Sequence, residues 1–121
     1  VGFSVGNDGS ILFTVPSLFK AYVISQDRKL KSFGRAGSAP GRFNIVAGIV
    51  RDNKGNIVVV DKLKCAMKVF DKSYNFLTEF GYRGNKRDNL IAPDDIAIDN
   101  QNRIYVTQAA NRGVSVFSLG D

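Results

Sequence analysis

Hydrophobic and polar residues alternate along this chain in short runs that are rich in β-branched and aromatic side chains. Alternation with a period of two predicts half-buried β-strands, and no stretch sustains the period of an amphipathic helix. The pattern predicts strands at 2–5, 10–15, 21–25, 30–33, 47–51, 56–60, 66–70, 76–80, 94–98, 103–107 and 114–118. The run from Ile57 to Val60 is apolar throughout, which indicates a strand that is covered on both faces.

The strand pattern repeats along the chain with a period of about 46 residues. Equivalent positions carry the same residue in each copy: Ile11, Ile57 and Ile104, and likewise Val23, Val69 and Val116. A repeat of this length that contains four strands is typical of a β-propeller blade, and propellers close with roughly 4 to 8 blades. The sequence therefore predicts an all-β fold, an incomplete ring of about three antiparallel four-stranded blades.

The repeat also predicts where each blade lies within residues 1–121. Blade one is expected at 1–34, blade two at 46–81, and blade three at 93–119, where a fourth strand is lacking. We expect further sequence or a partner chain to complete the ring, since open terminal blades would leave flat faces and strand edges in water.

The connections between strands repeat as well. Asn- and Gly-rich tight turns at 6–9, 52–55 and 99–102 join the first two strands of each blade, as expected for hairpins. Longer connections lead from one blade to the next. Phe43 and Leu90 hold equivalent positions in these connections, and each is predicted to insert into the seam between two blades.

Several motifs make the chain similar to the NHL repeat. They are Phe33-Gly34 with Gly37 and Pro40-Gly-Arg-Phe43, Gly55-Asn-Ile-Val-Val-Val-Asp61 with Lys68-Val-Phe-Asp71 and Phe80-Gly81, and Pro93-Asp-Asp-Ile96 with Arg103-Ile-Tyr-Val106 and Val114-Ser-Val-Phe117. The resemblance implies blades of a propeller that usually has six, one of them often completed by a strand from the far end of the chain. It also implies that the face formed by the inter-blade loops is a binding surface, for RNA in some members and for protein in several others.

The residue types present argue against catalysis. The chain has no histidine, which removes the commonest general base and most zinc sites. Some NHL-like propellers are zinc-dependent amidating lyases, and this chain alone could not supply such a site. The single cysteine, Cys65, excludes an internal disulfide and a cysteine-based metal cluster. We therefore expect no catalytic residues, no metal, no cofactor and no small-molecule substrate.

Two acidic segments have both a chemical and a plain interpretation. Asp94 and Asp95 are adjacent on a strand and so face opposite ways, which favours a polar strand start over an acid–base pair, although Asp95 could point into the central channel. The segment 99–102 lacks the Gly and distal Glu of a calcium loop, and a simple turn is favoured.

No apolar run approaches the roughly 20 residues of a membrane span. The N-terminus lacks the basic and apolar regions of a signal peptide, and the sequence assigns no compartment.

Charge is the property that points to a partner. The chain has 17 Lys and Arg against 11 Asp and Glu, a net charge of +6. In an up-and-down blade, the loops between strands two and three and the inter-blade connections share one end of the sheets, here called the loop face. The other end, formed by the tight turns, is called the turn face.

The loop face is predicted to hold most of the excess positive charge. Its basic residues are Lys20, Arg35, Arg42, Lys62, Lys64, Arg83, Lys86, Arg87 and Arg112. Its acidic residues are Asp61, Asp88, Asp94 and Asp95. The turn face is balanced in charge. Phe19 and Tyr82 also lie on the predicted loop face, where they could stack or pack against a partner.

These observations favour a non-catalytic binding or scaffolding module that presents a basic loop face to a protein partner. That partner would be an acidic protein surface, or the chain or segment that completes the ring. The predicted contact residues are Arg35, Arg42, Lys62, Lys64, Arg83, Lys86, Arg87 and Arg112. RNA binding through the same face is the first alternative. The second alternative is that the chain is part of a larger enzyme whose active site lies outside it.

Overall fold

A computed structural model describes residues 2–37, 39–82, 90, 93–108 and 113–119. These residues form eleven strands and one short 3-10 turn, and none of them is in an α-helix. The strands are β1 (Phe3–Val5), β2 (Ile11–Val15), β3 (Lys20–Ile24), β4 (Leu30–Phe33), β5 (Val46–Arg51), β6 (Ile57–Asp61), β7 (Ala66–Phe70), β8 (Phe76–Gly81), β9 (Pro93–Ile98), β10 (Arg103–Gln108) and β11 (Gly113–Ser118). Each predicted strand is confirmed, with its bounds within one residue of the prediction.

The strands form three antiparallel sheets that follow one another along the chain. Sheet one has the order β1-β2-β3-β4 and sheet two the order β5-β6-β7-β8. Sheet three, within the described residues, has three strands in the order β9-β10-β11. The predicted all-β fold of successive propeller blades is therefore confirmed.

Sheet two is packed between its neighbours, and this explains its continuous apolar strand. Ile57 and Val59 belong to the core shared with sheet one, whereas Val58 and Val60 belong to the core shared with sheet three. All five residues of β6 and all five of β7 are buried. Alternate residues of one strand thus fill two different cores.

The inter-blade connections close the two seams in the same way. Phe43 and Leu90 are both fully buried, and each belongs to one of the two cores, which confirms their predicted placement. A glycine gives each of them room: a Cβ atom on Gly34 would lie 2.3 Å from the Phe43 ring, and one on Gly81 would lie 2.9 Å from Leu90. Both glycines also have positive φ angles, of 113° and 110°.

The tight turns at the turn face link the blades through asparagine side chains. Asn7 donates a hydrogen bond from its side-chain amide to the side-chain oxygen of Asn53. The backbone N–H of Asn53 in turn donates to the side-chain oxygen of Asn102, at 2.9 Å. These contacts tie together one turn from each sheet.

The 99–102 segment is one of these turns. Asp99 accepts hydrogen bonds from the backbone N–H groups of Gln101 and Arg103 and from the side chains of Arg103 and Tyr105. Desolvation raises the pKa of Asp99, but these hydrogen bonds outweigh it and hold the pKa far below its usual range. The carboxylate is satisfied by the protein itself, which accords with the turn interpretation.

The sheet faces that point away from sheet two carry exposed apolar side chains. Phe3 and Val5 on sheet one are 66% and 62% exposed, and Val114 and Val116 on sheet three are each 55% exposed. The three sheets thus form an incomplete ring with an apolar surface at either end.

No helix in the described part of the chain is long and apolar enough to cross a membrane. Cys65 is a buried free thiol.

Candidate binding surface

Half of the predicted contact residues fall within the described structure. Arg35, Arg42, Lys62 and Lys64 are described, whereas Arg83, Lys86, Arg87 and Arg112 lie outside the described residues. Antiparallel topology brings the segments 16–19, 34–45 and 62–65 to the same end of the sheets, as predicted for the loop face. The four described residues nevertheless occupy three different environments on that face.

Arg35 and Arg42 meet in a groove between sheets one and two, here called the basic groove. Its volume is about 470 Å³, and Lys20 at the start of β3 contributes a third basic side chain. The lining residues are Lys20, Ser32, Phe33, Gly34, Arg35, Pro40, Gly41, Arg42, Phe70, Tyr74 and Phe76. None of these is acidic.

The wall of the basic groove is aromatic. Phe33 packs against Phe70 with ring centroids 4.9 Å apart, and against Tyr74 at 5.2 Å. Phe70 also contacts Phe76 edge-on at 5.8 Å. Phe33 and Phe70 are buried, whereas Phe76 is 38% exposed. The groove therefore combines basic side chains with a partly open apolar wall.

Lys62 lies elsewhere, at the end of the inner strands. Its ammonium is 2.7 Å from the carboxylate of Asp94, so it links sheet two to sheet three. Both residues line a separate cavity of about 480 Å³, which Asp95 and Phe3 also line. Asp95 thus reaches the region where the inner strands meet, but the two carboxylates there offset the charge of Lys62.

Lys64 points inward rather than toward solvent. Its side chain is 12% exposed, and its ammonium lies 3.0 Å from Glu79, whose side chain is 2% exposed. Lys64 also donates a hydrogen bond to the carbonyl of Ala39 at 3.3 Å. A side chain held in this way offers a partner little surface.

Lys64 belongs to a buried group of four charged side chains, here called the charge cluster: Asp61, Lys64, Lys68 and Glu79. Lys68 and Asp61 have no exposed side-chain surface, and the Lys68 ammonium lies 3.1 Å from Asp61. It also lies 3.5 Å from Glu79 and 5.4 Å from the centroid of the Phe43 ring. Two cations and two anions balance, as buried charges must.

The charge cluster holds the backbone of the inter-blade connection in place. Asp61 accepts from the N–H groups of Asn44 and Ile45, at 2.7 and 3.2 Å. Glu79 accepts from the N–H of Gly41 at 3.3 Å, and Lys68 donates to the carbonyl of Arg42. The segment that carries Arg42 is therefore fixed from beneath by side chains of sheet two.

The protonation of the two carboxylates reflects these contacts. Burial raises the pKa of Asp61, but the N–H groups of Asn44 and Lys64 and the charge of Lys68 outweigh it, and the pKa lies below its usual value. Burial likewise raises the pKa of Glu79, and hydrogen bonds from Lys64, Tyr82 and Gly41 more than reverse that effect. Both carboxylates are therefore charged at neutral pH.

The sequence prediction assigned Lys64 to the contact surface and overlooked Lys68 and Glu79. The latter two residues lie directly opposite each other on β7 and β8. Lys68 stands between apolar residues in the predicted strand 66–70, next to the strand predicted to be covered on both faces. That position was a signal that could have revealed the cluster, because a buried lysine must be paired with an acid.

No group of three or more potential ligands that could hold a metal ion occurs in the described ranges. The described part of the loop face is shaped as a groove with basic side chains and an aromatic wall.

Comparison with known proteins defines the class. No protein-family model matches the chain. The chain is 30% identical over 77 residues to the protein brain tumor of Drosophila melanogaster, which covers 63% of this chain and 7% of that protein. It is 32% identical over 65 residues to the human E3 ubiquitin-protein ligase NHLRC1, covering 54% of this chain and 16% of that protein. The chain thus matches a small part of each relative.

Solved structures agree on the fold. A catalytically inactive virginiamycin B lyase from Staphylococcus aureus, with quinupristin, superposes with a TM-score of 0.65 at 16% identity, over 99% of this chain and 41% of the lyase. Regucalcin, a calcium-binding protein from Agrobacterium tumefaciens, gives a TM-score of 0.64 at 17% identity, over 92% of this chain and 38% of regucalcin. The chain is a set of β-propeller blades. Its sequence relatives are NHL-repeat proteins, and it is an NHL-like propeller segment.

Proposed function

We propose that this chain is a non-catalytic binding module that uses the loop face of an NHL-like propeller to hold an acidic protein partner. The observation that carries the proposal is the convergence of Lys20, Arg35 and Arg42 in one groove. In the described part of the chain, no carboxylate lies within ion-pair distance of any of these three. Positive charge that is not offset inside the protein is available to a partner.

The other predicted basic residues contribute to this proposal in different ways. Lys62 and Lys64 are engaged by Asp94 and Glu79, which makes them supports of the face more than contacts. Arg83, Lys86, Arg87 and Arg112 lie outside the described residues, and their place in the surface stays a prediction.

Comparison of charge-reversal variants of the intact protein tests the proposal. Arg35→Glu combined with Arg42→Glu should abolish most partner capture in a quantitative affinity purification, because like charges repel across an interface. Lys54→Glu combined with Lys72→Glu, on the turn face, is the matched control and should leave capture unchanged. Equal capture by both variants would refute the proposal.

RNA binding is the alternative for the same face, because basic residues beside aromatics also suit single-stranded RNA. Nuclease treatment before the purification separates the two. A partner that remains after nuclease supports protein binding, and one that disappears supports RNA.

A further inference from the structure

The basic groove has the chemistry of a site for one particular kind of ligand. We propose that it binds an acidic peptide segment of the partner, in which carboxylates flank an apolar or aromatic side chain. This inference rests on the proposed function and assigns it to a specific place, between sheets one and two.

Charge complementarity selects the acidic part of the ligand. Arg35 is exposed, and Lys20 and Arg42 are half-buried, so all three can reach a bound molecule. Glu79, which accepts a hydrogen bond from the N–H of Gly41 in the groove wall, is already paired with Lys64 and Lys68. The three basic groups therefore face the groove with their charge largely uncompensated, and carboxylates of a peptide can accept paired hydrogen bonds from the two arginines.

The aromatic wall selects the apolar part of the ligand and restricts the stacking of RNA bases. Base stacking requires an open ring face. A Cβ atom on Gly41 would lie 2.9 Å from Cγ of the Phe76 ring and 3.2 Å from its two Cδ atoms, so the backbone of Gly41 covers that ring. The Tyr74 ring is occupied on one side by Phe33. Each of these two rings is thus partly covered, and Pro40 adds exposed apolar surface to the groove, which suits an aliphatic or aromatic side chain.

The groove is also preorganised. Arg42 donates its N–H to the carbonyl of Ala39 at 3.0 Å and accepts at its own carbonyl from buried Lys68. The Arg35 carbonyl accepts from the N–H of Phe43 at 2.7 Å, and Phe43 is fully buried. Because both arginine backbones are fixed before the ligand arrives, little ordering is required on binding.

Fluorescence polarisation on the intact protein tests the inference. The probe is a short fluorescein-labelled peptide in which glutamates flank a central phenylalanine. Three further probes are the same peptide with glutamines in place of the glutamates, the same peptide with alanine in place of the phenylalanine, and a single-stranded oligouridine. We expect the glutamate peptide to bind, and binding to weaken roughly tenfold or more when either its acids or its phenylalanine is replaced.

Two matched lysine variants locate the site. Lys20→Ala removes a cation from the groove, and Lys72→Ala removes one from the turn face. The first should weaken peptide binding roughly tenfold and the second should not change it. Thermal unfolding followed by circular dichroism should show both variants folded. Arg35→Lys combined with Arg42→Lys keeps the charge, and should still weaken binding if the paired hydrogen bonds matter.

The outcomes separate this inference from the proposed function. One outcome is that peptide binding survives both Lys20→Ala and the double variant Arg35→Ala with Arg42→Ala. If binding is lost instead when Arg83, Lys86 and Arg87 are replaced, the groove assignment is overturned and the proposed function stands. A second outcome is that oligouridine binds more tightly than the peptide and that its binding is lost in the same groove variants. This would overturn the proposal of a peptide ligand in favour of RNA. Absence of any binding to peptide, oligouridine or acidic protein would overturn both.

Discussion

Lys68 shows how much a single buried charge can depend on its neighbours. Its side chain has no exposed surface, and its ammonium contacts Asp61 and Glu79, which belong to the adjacent strands β6 and β8. The cation is therefore satisfied only while three strands and the inter-blade connection keep their present arrangement.

The first prediction concerns this residue. Lys68→Met should reduce the free energy of unfolding by roughly 3–5 kcal/mol, because it leaves two buried carboxylates short of a cation. Denaturant unfolding of the variant measures the loss. Lys72→Met, at an exposed position, should change stability by less than about 0.5 kcal/mol. Similar losses in the two variants would contradict the role assigned to the charge cluster.

The second prediction concerns acid pH. The pKa values of Asp61 and Glu79 lie below their ordinary values of 3.8 and 4.5, so the unfolded chain binds more protons than the folded one as the medium becomes acid. Their stabilising contribution is complete above those ordinary values and is lost as the pH falls through the lower folded-state values.

Unfolding free energies measured from neutral pH downward test this. Stability should decline below about pH 4, and Asp61→Asn should make the decline shallower by removing one of the linked groups. An equally steep decline in Asp61→Asn and in the wild type would show that Asp61 is not linked to folding.

At the scale of the elements, most of the fold could be predicted from the sequence. The strands follow from alternation, and the roles of Phe43 and Leu90 follow from their equivalent positions in the two inter-blade connections. The orientation of the Lys64 side chain could not be predicted from such a pattern. Its place in a loop indicated an exposed side chain, but the structure turns it toward Glu79, fifteen residues later in the chain.

The third prediction tests the seam between sheets one and two. Gly34→Ala should destabilise the protein by roughly 3 kcal/mol or more, because the new methyl group would clash with the Phe43 ring at a φ angle that already disfavours alanine. Gly113→Ala is the control: its φ is 70°, but nothing lies within 4 Å of the added atom, so only the backbone strain of about 1–2 kcal/mol is expected.

A double variant separates the clash from the strain. Phe43→Leu shortens the side chain that the Gly34→Ala methyl group would meet. The two changes together should therefore be less destabilising than the sum of the single changes, measured as a double-mutant cycle. Strict additivity would show that the ring contact does not determine the need for glycine.

At the scale of the whole molecule, the main feature is the pair of end faces, which are the faces of sheets one and three that point away from sheet two. The exposed apolar residues of sheets one and three lie on faces that, in a closed ring, would each meet another blade. Contiguous apolar surface of this kind favours association in water.

The fourth prediction follows from that surface. Residues 1–121 purified by themselves should self-associate in sedimentation velocity experiments, and Val114→Glu combined with Val116→Lys should shift the distribution toward monomer. Leu63→Glu is the control, because Leu63 is 64% exposed but lies in the 62–65 loop, away from the end faces. A wild-type segment that remains monomeric at high concentration would contradict the prediction.

The sequence by itself determined the strands, their grouping into repeated sheets and the residues that fill the seams. These features depend on alternation and spacing, which are local properties of a chain. The tertiary structure alone decided which basic residues of the described part are paired with an acid. Lys62 and Lys64 pair with acids from other strands, whereas no carboxylate of the described residues pairs with Lys20, Arg35 or Arg42. Charge pairing of this kind depends on how separate sheets and loops pack in space.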